Sequence, residues 1–242
     1  MKIALIGHGN TGSQIEKVIL EGGAHQIVSV STKSTGGLDI EGIKNADVVI
    51  DFSSPEIAIE NIKTVSSLGK NIVMGTTGWY ERLEEVRQIV DEAGIGLIYG
   101  QNFGIGANIF FKLVSYAAKL ASKFGDFDVY GLEVHHTGKK DSPSGTALKI
   151  SEQILENFPS KTTVQTEKLD RKIEKDELHF GSVRGGRNPG MHQVVFDSEA
   201  DSITLTDQAH SRKGFAQGAV LAAEFIVGKK GMHSFDELFD AR

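Results

Sequence analysis

Residues 2–20 read KIALIGHGNTGSQIEKVIL, which predicts a strand, a tight turn and a helix in succession. The run Ile3–Ile6 is apolar throughout, as in a buried strand, and the apolar residues after the turn recur at helical spacing. The turn itself, Gly7-His8-Gly9-Asn10-Thr11-Gly12, is a G-x-G-x-x-G pattern. Glycines there let the backbone approach a pyrophosphate, whose charge meets the free N–H groups of the helix start. We therefore predict a nucleotide-binding turn, with a purely structural glycine turn as the alternative.

Short apolar runs and helix-period segments continue to alternate as far as Tyr99. The later runs are Ile27–Val30, Val48–Ile50, Ile72–Met74 and Ile95–Ile98. A repeated strand–helix series is typical of a parallel sheet with helices on both faces. The sequence therefore predicts an α/β fold with an N-terminal Rossmann-like, doubly wound parallel sheet.

The pattern changes after Tyr99. A glycine-punctuated stretch, Gly100-Gln101-Asn102-Phe103-Gly104, leads into a helix that we predict from Ala107 to Lys123. Four later segments mostly alternate apolar and polar side chains, which is typical of an antiparallel sheet with unlike faces. They are Phe127–His136, Leu178–Val183, His192–Phe196 and Ser202–Thr206. The charged stretch Lys161–Asp176 between them predicts an exposed excursion.

Two domains follow from this change of pattern. We expect residues 104–212 to form a second domain. Residues 213–242 return to a helical pattern, with Phe215 and Ala219 on one apolar face. That face could pack back on the first domain, which would then comprise residues 1–103 plus 213–242.

Composition narrows the remaining classes of protein. The 242 residues include no cysteine, which excludes a disulfide scaffold and a thiol enzyme. The formal net charge of −6 argues against a nucleic-acid binder, since such proteins usually carry a basic surplus. No apolar run approaches the length that crosses a bilayer, and the N-terminus lacks the apolar core of a signal peptide. We expect a cytoplasmic protein with no membrane or nucleic-acid partner.

The end of the second predicted strand bears on the choice of cofactor. An NAD-selective site usually places a carboxylate there to accept from the ribose 2′-OH, but this stretch reads Ser31-Thr32-Lys33-Ser34. Lys33 and the hydroxyls could hold a 2′-phosphate, which favours NADPH over NADH. The alternative is that Lys33 is a solvated loop lysine.

Two further loops follow predicted parallel strands, at the edge of the sheet where open α/β proteins bind ligands. The first, Asp51-Phe52-Ser53-Ser54-Pro55-Glu56, is also an ordinary helix start. The second, Gly75-Thr76-Thr77-Gly78, has small side chains that would let a dinucleotide lie flat. We expect both loops to face the cofactor.

The segment Glu133–Ala147 reads EVHHTGKKDSPSGTA and carries most of the predicted chemistry. Two histidines and two lysines lie within six residues, and Ser-Gly-Thr follows at a predicted helix start. Positive charge and backbone donors gathered at one point suit an anion, most simply a carboxylate. A histidine supplies a proton near neutral pH, and a nearby lysine could act as a second donor or as a charge clamp.

Three alternatives remain for this segment. A metal pair at His135 and His136 is disfavoured because neighbours in a strand point to opposite faces. A serine hydrolase built from Ser144, His135 and Asp141 would lack the G-x-S-x-G turn. A polar strand end capped by Ser144 explains the Ser-Gly-Thr sequence but not the crowding of histidine and lysine.

A set of motifs in fixed order spans nearly the whole chain. They are the glycine turn at residue 7, the loops at 51–56 and 75–78, Asn102-Phe103, His135-His136-x-x-Lys139-x-Asp141-x-Pro143-Ser144-Gly145-Thr146, Ser182-Val183-Arg184-Gly185-Gly186 and Ser211-Arg212-x-x-Phe215. In this order they resemble the 4-hydroxy-tetrahydrodipicolinate reductase (dihydrodipicolinate reductase) family, to which the long histidine motif is specific.

The resemblance implies an enzyme of diaminopimelate and lysine biosynthesis that transfers hydride from NAD(P)H to a cyclic dicarboxylate, 4-hydroxy-tetrahydrodipicolinate. It implies His135 and Lys139 as proton donors. The implied substrate site comprises His136, Lys139, Ser144, Gly145 and Thr146. The implied cofactor site comprises Gly7 to Gly12, Phe52, Gly75, Thr76, Thr77, Gly100, Gln101, Asn102, Phe103, Arg212 and Phe215, with no metal.

The resemblance also implies that residues 104–212 form a mixed α+β domain that binds substrate and mediates oligomerisation. The implied assembly is a homotetramer formed through the sheets of this second domain. Two other functions stay open. One is a different Rossmann-fold oxidoreductase acting on a semialdehyde or sugar, which has no use for the histidine motif. The other is a non-catalytic nucleotide-binding regulator, which gains nothing from proton donors.

Overall fold

The computed structural model describes residues 1–32, 34 and 36–240. Lys33, which the sequence offers for a 2′-phosphate, lies outside the described residues. The chain forms two units. One comprises Met1–Ile105 with the described residues from Arg212 onward, and the other comprises Gly106–Ser211.

The strands are β1 (Lys2–Ile6), β2 (Gln26–Ser31), β3 (Val48–Asp51), β4 (Asn71–Met74), β5 (Gly96–Tyr99), β6 (Asp128–His135), β7 (Thr163–Gln165), β8 (Glu177–Arg184), β9 (Met191–Asp197), β10 (Ser202–Gln208) and β11 (Gly231–Ser234). The helices are α1 (Asn10–Gly22), α2 (Ile40–Lys44), α3 (Pro55–Ser67), α4 (Leu83–Ala93), α5 (Ile105–Ala121), α6 (Gly145–Asn157) and α7 (Lys213–Ile226), with 3₁₀ turns at Tyr80–Arg82 and Phe235–Phe239. Within the described residues, no helix combines the length and apolar character needed to cross a membrane.

The first unit is built on a six-stranded sheet in the order β11-β5-β4-β3-β1-β2, and every neighbouring pair is parallel. One face packs on α3 through residues such as Ile62, and the other packs on α7 through residues such as Ala219. Val49 of β3 faces the first core and Val48 the second, and both are 0% exposed. Burial on both faces explains why these strands are apolar throughout. The predicted doubly wound α/β sheet is confirmed.

The sixth strand corrects the expectation that the end of the chain is helical only. After α7 ends at Ile226, β11 pairs in parallel with β5. Its sequence, Gly-Met-His-Ser, contains only one apolar residue, Met232. An edge strand has one paired side and needs less apolar surface, so periodicity gave no signal for it.

The second unit holds a five-stranded sheet in the order β10-β9-β6-β8-β7. Strands β9 and β10, and β6 and β9, pair antiparallel, whereas β6 and β8, and β7 and β8, pair in parallel. The antiparallel expectation is therefore wrong for half of the sheet, which is mixed. Between β6 and β8 the chain passes through α6, a crossover that returns it to the same end of the sheet and allows parallel pairing. Between β7 and β8 the loop of residues 166–176 serves the same purpose without a helix.

Strand β6 places two polar residues on a packed face. Every second residue of this strand is buried, namely Val129, Gly131, Glu133 and His135. Tyr130, on the opposite face, is exposed. Val129 belongs to the core that α5 and α6 form on this sheet. Because strand side chains alternate, Glu133 and His135 share a face with that core and lie beside each other.

The expectation that Lys161–Asp176 is an exposed excursion is confirmed for most of residues 166–176 but is wrong for the start of the segment, which contains a buried lysine and strand β7. Lys161 is buried, and its Nζ donates to the carbonyl oxygens of Lys175 and Glu177, each at 2.9 Å. Its ammonium also lies 2.6 Å from Asp128 Oδ1. Strand β7 follows at once, so this ammonium supplies the donors that fix the chain at the edge of the sheet.

Candidate active site

The glycine turn between β1 and α1 packs in a way that requires glycine. Gly7 has a φ of +88°, and a Cβ there would overlap the carbonyl group of Phe52. A Cβ at Gly12 would overlap the carbonyl oxygen of Gly7. At Gly9, by contrast, a Cβ would have no neighbour within 4 Å among the described residues, so this side of the turn is open.

The start of α1 suits an anion. Gly9 is the N-cap, and its φ and ψ are −77° and −161°. Glycine has no side chain to cap the helix, and the first turn contains no acidic residue. The free N–H groups of this turn, together with the positive end of the helix dipole, favour a phosphate. The residues present therefore fit the pyrophosphate of a dinucleotide.

Two clefts lie at the carboxyl ends of the parallel strands. The first, of about 780 Å³, is lined by the turn at Gly7, His8 and Gly9, by Ser31 at the end of β2 with Thr32 and Ser34 after it, and by Phe52. The second, of about 400 Å³, is lined by Gly9, Asn10, Thr11, Phe52, Gly75, Thr76, Thr77 and Arg212. Volumes of this size suit small-molecule ligands. The structure thus brings together the predicted glycine turn, both loops and Arg212.

Asp51, at the end of β3, holds the two loops together. Its buried carboxylate accepts hydrogen bonds from Ser53 N at 2.8 Å, Asn61 Nδ2 at 2.7 Å and Thr76 Oγ1 at 3.1 Å. Burial raises the pKa of Asp51, and these hydrogen bonds oppose that effect. The sequence indicated the loop but gave Asp51 no role of its own.

Residue 75 must be glycine because the ring of Phe52 fills the space next to it. A Cβ at Gly75 would overlap that ring, which also lines both clefts. The ring of Phe52 makes an edge contact with Phe103 at 5.6 Å between centroids. Glycine at residue 75 therefore keeps Phe52 in place between the two loops.

Some predicted cofactor residues lie elsewhere in the unit. Phe103 is only 2% exposed and packs on Phe235 at 4.6 Å between centroids, so its side chain is part of the core. Gly100 also abuts Phe235, Gln101 is exposed, and Phe215 is half-buried at the start of α7. Asn102 Oδ1 accepts from Gly104 N at 2.7 Å. None of these residues is among those lining the two clefts described above.

The side chains of His8 and Asp39 lie near the places where a dinucleotide would bind. His8 Nε2 lies 2.6 Å from Glu16 Oε2, which holds the imidazole at the mouth of the turn. Asp39 N donates to Ser31 Oγ, while its carboxylate accepts from Ser29 Oγ at 2.8 Å and from Gly42 N at 3.0 Å. The Asp39 carboxylate is thus engaged in capping α2.

In the second unit, the chain from His135 to Gly145 joins β6 to α6. Ser144 is the N-cap of α6, and its Oγ accepts from Ala147 N at 3.1 Å. Ser144 is buried, whereas Gly145 is exposed and a Cβ there would have no neighbour within 4 Å in the described part of the chain. The first turn of α6 contains no acidic residue, so its N–H groups suit a carboxylate.

The predicted donor Lys139 lies in this connecting loop. Its Nζ donates to both oxygens of Asp141, at 2.8 and 2.9 Å, and this contact lowers the pKa of Asp141. His136 N donates to Asn188 O at 2.8 Å, and His136 Nδ1 accepts from Gly138 N at 3.1 Å. The loop therefore has a defined shape, and Lys139 is near enough to His135 for its charge to lower the pKa of that imidazole.

Glu133 is a buried carboxylate that contacts several side chains of the candidate site, and it was not among the residues expected from the sequence. Its Oε1 accepts from Ser144 N at 3.0 Å, from Ser182 Oγ at 2.8 Å and from Arg184 Nη2 at 2.8 Å. Its Oε2 lies 3.2 Å from His135 Nδ1 and 3.5 Å from His192 Nε2. Burial alone raises the pKa of Glu133, but the hydrogen bonds that it accepts reverse this and hold the pKa well below its usual range.

His135 is 6% exposed and its ring meets that of His192 at 5.2 Å between centroids. Burial is the largest influence on the pKa of His135 and lowers it, Glu133 raises it, and the neighbouring His192, Lys139 and Arg184 lower it again. The result is a pKa of about 4, so this imidazole is neutral near pH 7 in the free protein.

Glu133, His135 and His192 offer three ligand atoms within 4.8 Å of one another. Such a set could accommodate a divalent cation. The carboxylate, however, already has a cationic partner in Arg184 at 2.8 Å. His192 was missed in the sequence because it lies on β9, 57 residues from His135 along the chain; only the fold brings it close.

Comparison with known proteins identifies the family. Models described as "Dihydrodipicolinate reductase, N-terminus" and "Dihydrodipicolinate reductase, C-terminus" match residues 1–103 and 106–239. A 4-hydroxy-tetrahydrodipicolinate reductase from Christiangramia forsetii is 37% identical over 238 residues, covering 98% of this chain and 97% of the relative. A protein of the same name from Methanococcus aeolicus is 37% identical over 229 residues, covering 93% and 77%.

Solved structures show the same fold. A dipicolinate-bound dihydrodipicolinate reductase from Paenisporosarcina sp. TG-14 superimposes with a TM-score of 0.80 at 24% identity, covering 98% of this chain and 99% of that one. A probable dehydrogenase from Thermotoga maritima gives a TM-score of 0.61 at 10% identity, covering 98% and 92%. On the strength of the two family models and the full-length relatives, this chain belongs to the dihydrodipicolinate reductase family.

Proposed function

We propose that this protein catalyses the NAD(P)H-dependent reduction of 4-hydroxy-tetrahydrodipicolinate to tetrahydrodipicolinate, a step of diaminopimelate and lysine biosynthesis. One observation carries the proposal: Lys139, His135 and the open first turn of α6 gather on one connection, in a chain that belongs to the family named for this reaction. Such a gathering suits a dicarboxylate that must also receive a proton.

The first unit would hold the nicotinamide cofactor, which supplies the hydride. The first turn of α1 suits the pyrophosphate, and Thr76 and Arg212 line the adjoining cleft. We favour NADPH, because no acidic residue occurs among residues 31–34 and the carboxylate of Asp39 is engaged with Ser29 and Gly42. Lys33 and the hydroxyls of Ser31 and Thr32 would then contact the 2′-phosphate.

The second unit would hold the substrate by its two carboxylates. One would meet the N–H groups of Gly145 and Thr146 at the start of α6, where the helix dipole favours negative charge. The other would meet Lys139 and His136. The Ser144 side chain would act mainly as the cap that fixes this turn, because its hydroxyl already accepts from Ala147 N.

Proton delivery would then be shared unequally between two groups. The change from substrate to product requires a hydride, a proton and the loss of the 4-hydroxyl group as water. Once that water has left, hydride addition to the conjugated imine builds negative charge on the ring, which a nearby acid relieves by giving a proton. Lys139 is a cation in the free protein and is our principal donor. His135, with a pKa of about 4, is neutral until substrate binds, and the two substrate carboxylates would raise its pKa and make it a second donor.

We also propose that the protein is a cytoplasmic homotetramer with no metal, membrane or nucleic-acid partner. Size-exclusion chromatography with light scattering measures the assembly state directly. A monomer at micromolar concentration would contradict the tetramer without affecting the reaction.

A binding experiment separates this function from the two alternatives. Pyridine-2,6-dicarboxylate is a planar mimic of the substrate, and thermal unfolding can be followed with NADPH, with the mimic and with both. We expect the highest Tm with both ligands. A different oxidoreductase or a regulator would gain stability from NADPH but none from the mimic, and that result would overturn the proposed substrate.

A further inference from the structure

We propose that Glu133 is a positioning residue for the reaction proposed above: one of its oxygens fixes the first turn of α6, and the other fixes the ring of His135. The inference rests on the proposed function, but its geometric part can be tested without any turnover. Glu133 is 0% exposed, so it acts on substrate only through the groups that it holds.

The first oxygen ties three elements together. Oε1 accepts from Ser144 N at the start of α6 and from Ser182 Oγ and Arg184 Nη2 on β8. Arg184 Nη2 also donates to Asp141 O at 2.6 Å, on the loop that carries Lys139. A single carboxylate on β6 thereby holds the α6 end of the connection that would bind the substrate, directly at Ser144 and through Arg184 at Asp141.

The second oxygen faces imidazoles. This oxygen and His135 Nδ1 are both buried, and neither makes an aligned hydrogen bond in the described part of the chain, so each is available to the other. Oε2 lies 3.2 Å from His135 Nδ1 and 3.5 Å from His192 Nε2. A carboxylate beside Nδ1 favours the tautomer with its proton there, which leaves Nε2 free to take a proton and pass it on. A Cβ at Gly190 would lie 3.0 Å from Nε2, so glycine at that position keeps the Nε2 side uncrowded.

The charges around His135 show why the carboxylate is needed. Lys139 from the loop, Arg184 from β8 and His192 from β9 all oppose a positive charge on this ring, and Glu133 favours it. Neutralising Arg184 would require only one oxygen of Glu133. The second oxygen faces both imidazoles, which points to a role beyond that ion pair.

The three donors on Oε1 make Glu133→Gln an informative change. Ser144 N–H, Ser182 Oγ–H and Arg184 Nη2–H all need an acceptor, so the amide oxygen must occupy that position. The amide NH₂ then faces His135 and can only donate to Nδ1. The variant should therefore reverse the tautomer of His135, moving its proton from Nδ1 to Nε2.

Nuclear magnetic resonance of ¹⁵N-histidine-labelled protein at neutral pH reads out the tautomer, with the His135 signals identified by their loss in His135→Asn. We expect the Nδ1–H form in the unaltered protein and the Nε2–H form in Glu133→Gln. The Nε2–H form in the unaltered protein would overturn the proposal, even if the variant fails to fold.

Kinetics test the functional part, with Glu177→Gln as the matched control. Glu177, the first residue of β8, also pairs with an arginine, at 2.6 Å from Arg171 Nη2 in the loop before that strand, but it lies outside the candidate site. We expect Glu133→Gln to lower kcat between about tenfold and a hundredfold, with the KM for NADPH unchanged and the pH limb of His135 displaced to lower pH. Equal losses in both variants, with pH profiles of unchanged shape, would overturn the proposal as merely structural.

Failure of the proposed function and failure of the positioning role of Glu133 would give different results. If the unaltered protein does not oxidise NADPH with substrate, the proposed function fails, while the tautomer measurement still decides the placement of Glu133. If the unaltered protein is active and Glu133→Gln retains its rate and pH profile, the function stands and the positioning role of Glu133 is wrong.

Discussion

Lys139 Nζ lies 2.8 Å from Oδ1 and 2.9 Å from Oδ2 of Asp141, so the cation of the candidate site already has a carboxylate partner. Lys139 is mostly shielded, whereas Asp141 is largely exposed. A substrate carboxylate must therefore compete with Asp141 for the same ammonium. An exposed partner is the easier one to displace, because water solvates its released charge.

Lys139→Ala should lower kcat by at least about a hundredfold, because the principal proton donor is lost. The affinity for NADPH should not change, since the glycine turn lies in the other unit. Steady-state kinetics and cofactor titration measure the two effects. Lys140→Ala is the control for loss of an adjacent, exposed lysine; equal losses in both variants would remove Lys139 from its role.

His135 should make the protein less stable in mild acid. Its pKa falls from 6.5 in the unfolded chain to about 4 in the folded one, so between these values the unfolded chain binds the extra proton. The free energy of unfolding must then fall as the pH is lowered through this range. In urea unfolding, the free energy of unfolding of His135→Asn should fall less between neutral and mildly acid pH than that of the unaltered protein. His210→Asn, which changes an exposed histidine, should show the same fall as the unaltered protein.

Asp51→Ala should weaken NADPH binding and destabilise the first unit by about 1–3 kcal/mol, because three donors lose a buried acceptor. Asp47→Ala is the matched control, since Asp47 accepts from Lys2 N on an exposed surface. Calorimetric titration of NADPH and denaturant unfolding provide the measurements. An unchanged cofactor affinity in Asp51→Ala would show that the loops keep their places without it.

Gly75→Ala should cost about 1–3 kcal/mol and reduce cofactor affinity, because the new methyl group displaces the ring of Phe52. Gly22→Ala, at the end of α1, meets no atom within 4 Å among the described residues and should be tolerated or slightly stabilising. Equal Tm values for Gly75→Ala and the unaltered protein would contradict the proposed packing.

Lys33→Ala should raise the KM for NADPH more than the KM for NADH, because only NADPH carries the 2′-phosphate. The ratio of the two specificity constants measures this directly. Equal effects on both cofactors would make Lys33 a solvated loop residue and withdraw the proposed preference.

Much of the fold could be predicted because buried strands and amphipathic helices leave periodic patterns. The helix predicted from Ala107 to Lys123 runs from Ile105 to Ala121, a displacement of two residues. The parallel pairing of β6 with β8 was missed because alternation reveals which faces are buried and says nothing of strand direction. β11 was missed because an edge strand leaves little apolar signal.

The candidate site was predictable only where its residues are close in sequence. His135, Lys139 and Ser144 share one motif, so their proximity could be inferred. The roles of Glu133, Arg184 and His192 depend on three strands meeting in one sheet. One signal was present: Glu133 and His135 are two residues apart in a strand, which places both side chains on one face.

The reductase assignment is tested most directly by following the nicotinamide absorbance of NADPH and NADH, with substrate made in situ by a dihydrodipicolinate synthase from pyruvate and aspartate semialdehyde. We predict oxidation that requires the synthase and both precursors, and that is faster with NADPH. If neither cofactor is oxidised although NADPH binding is shown separately, the assignment as a reductase of this substrate is contradicted.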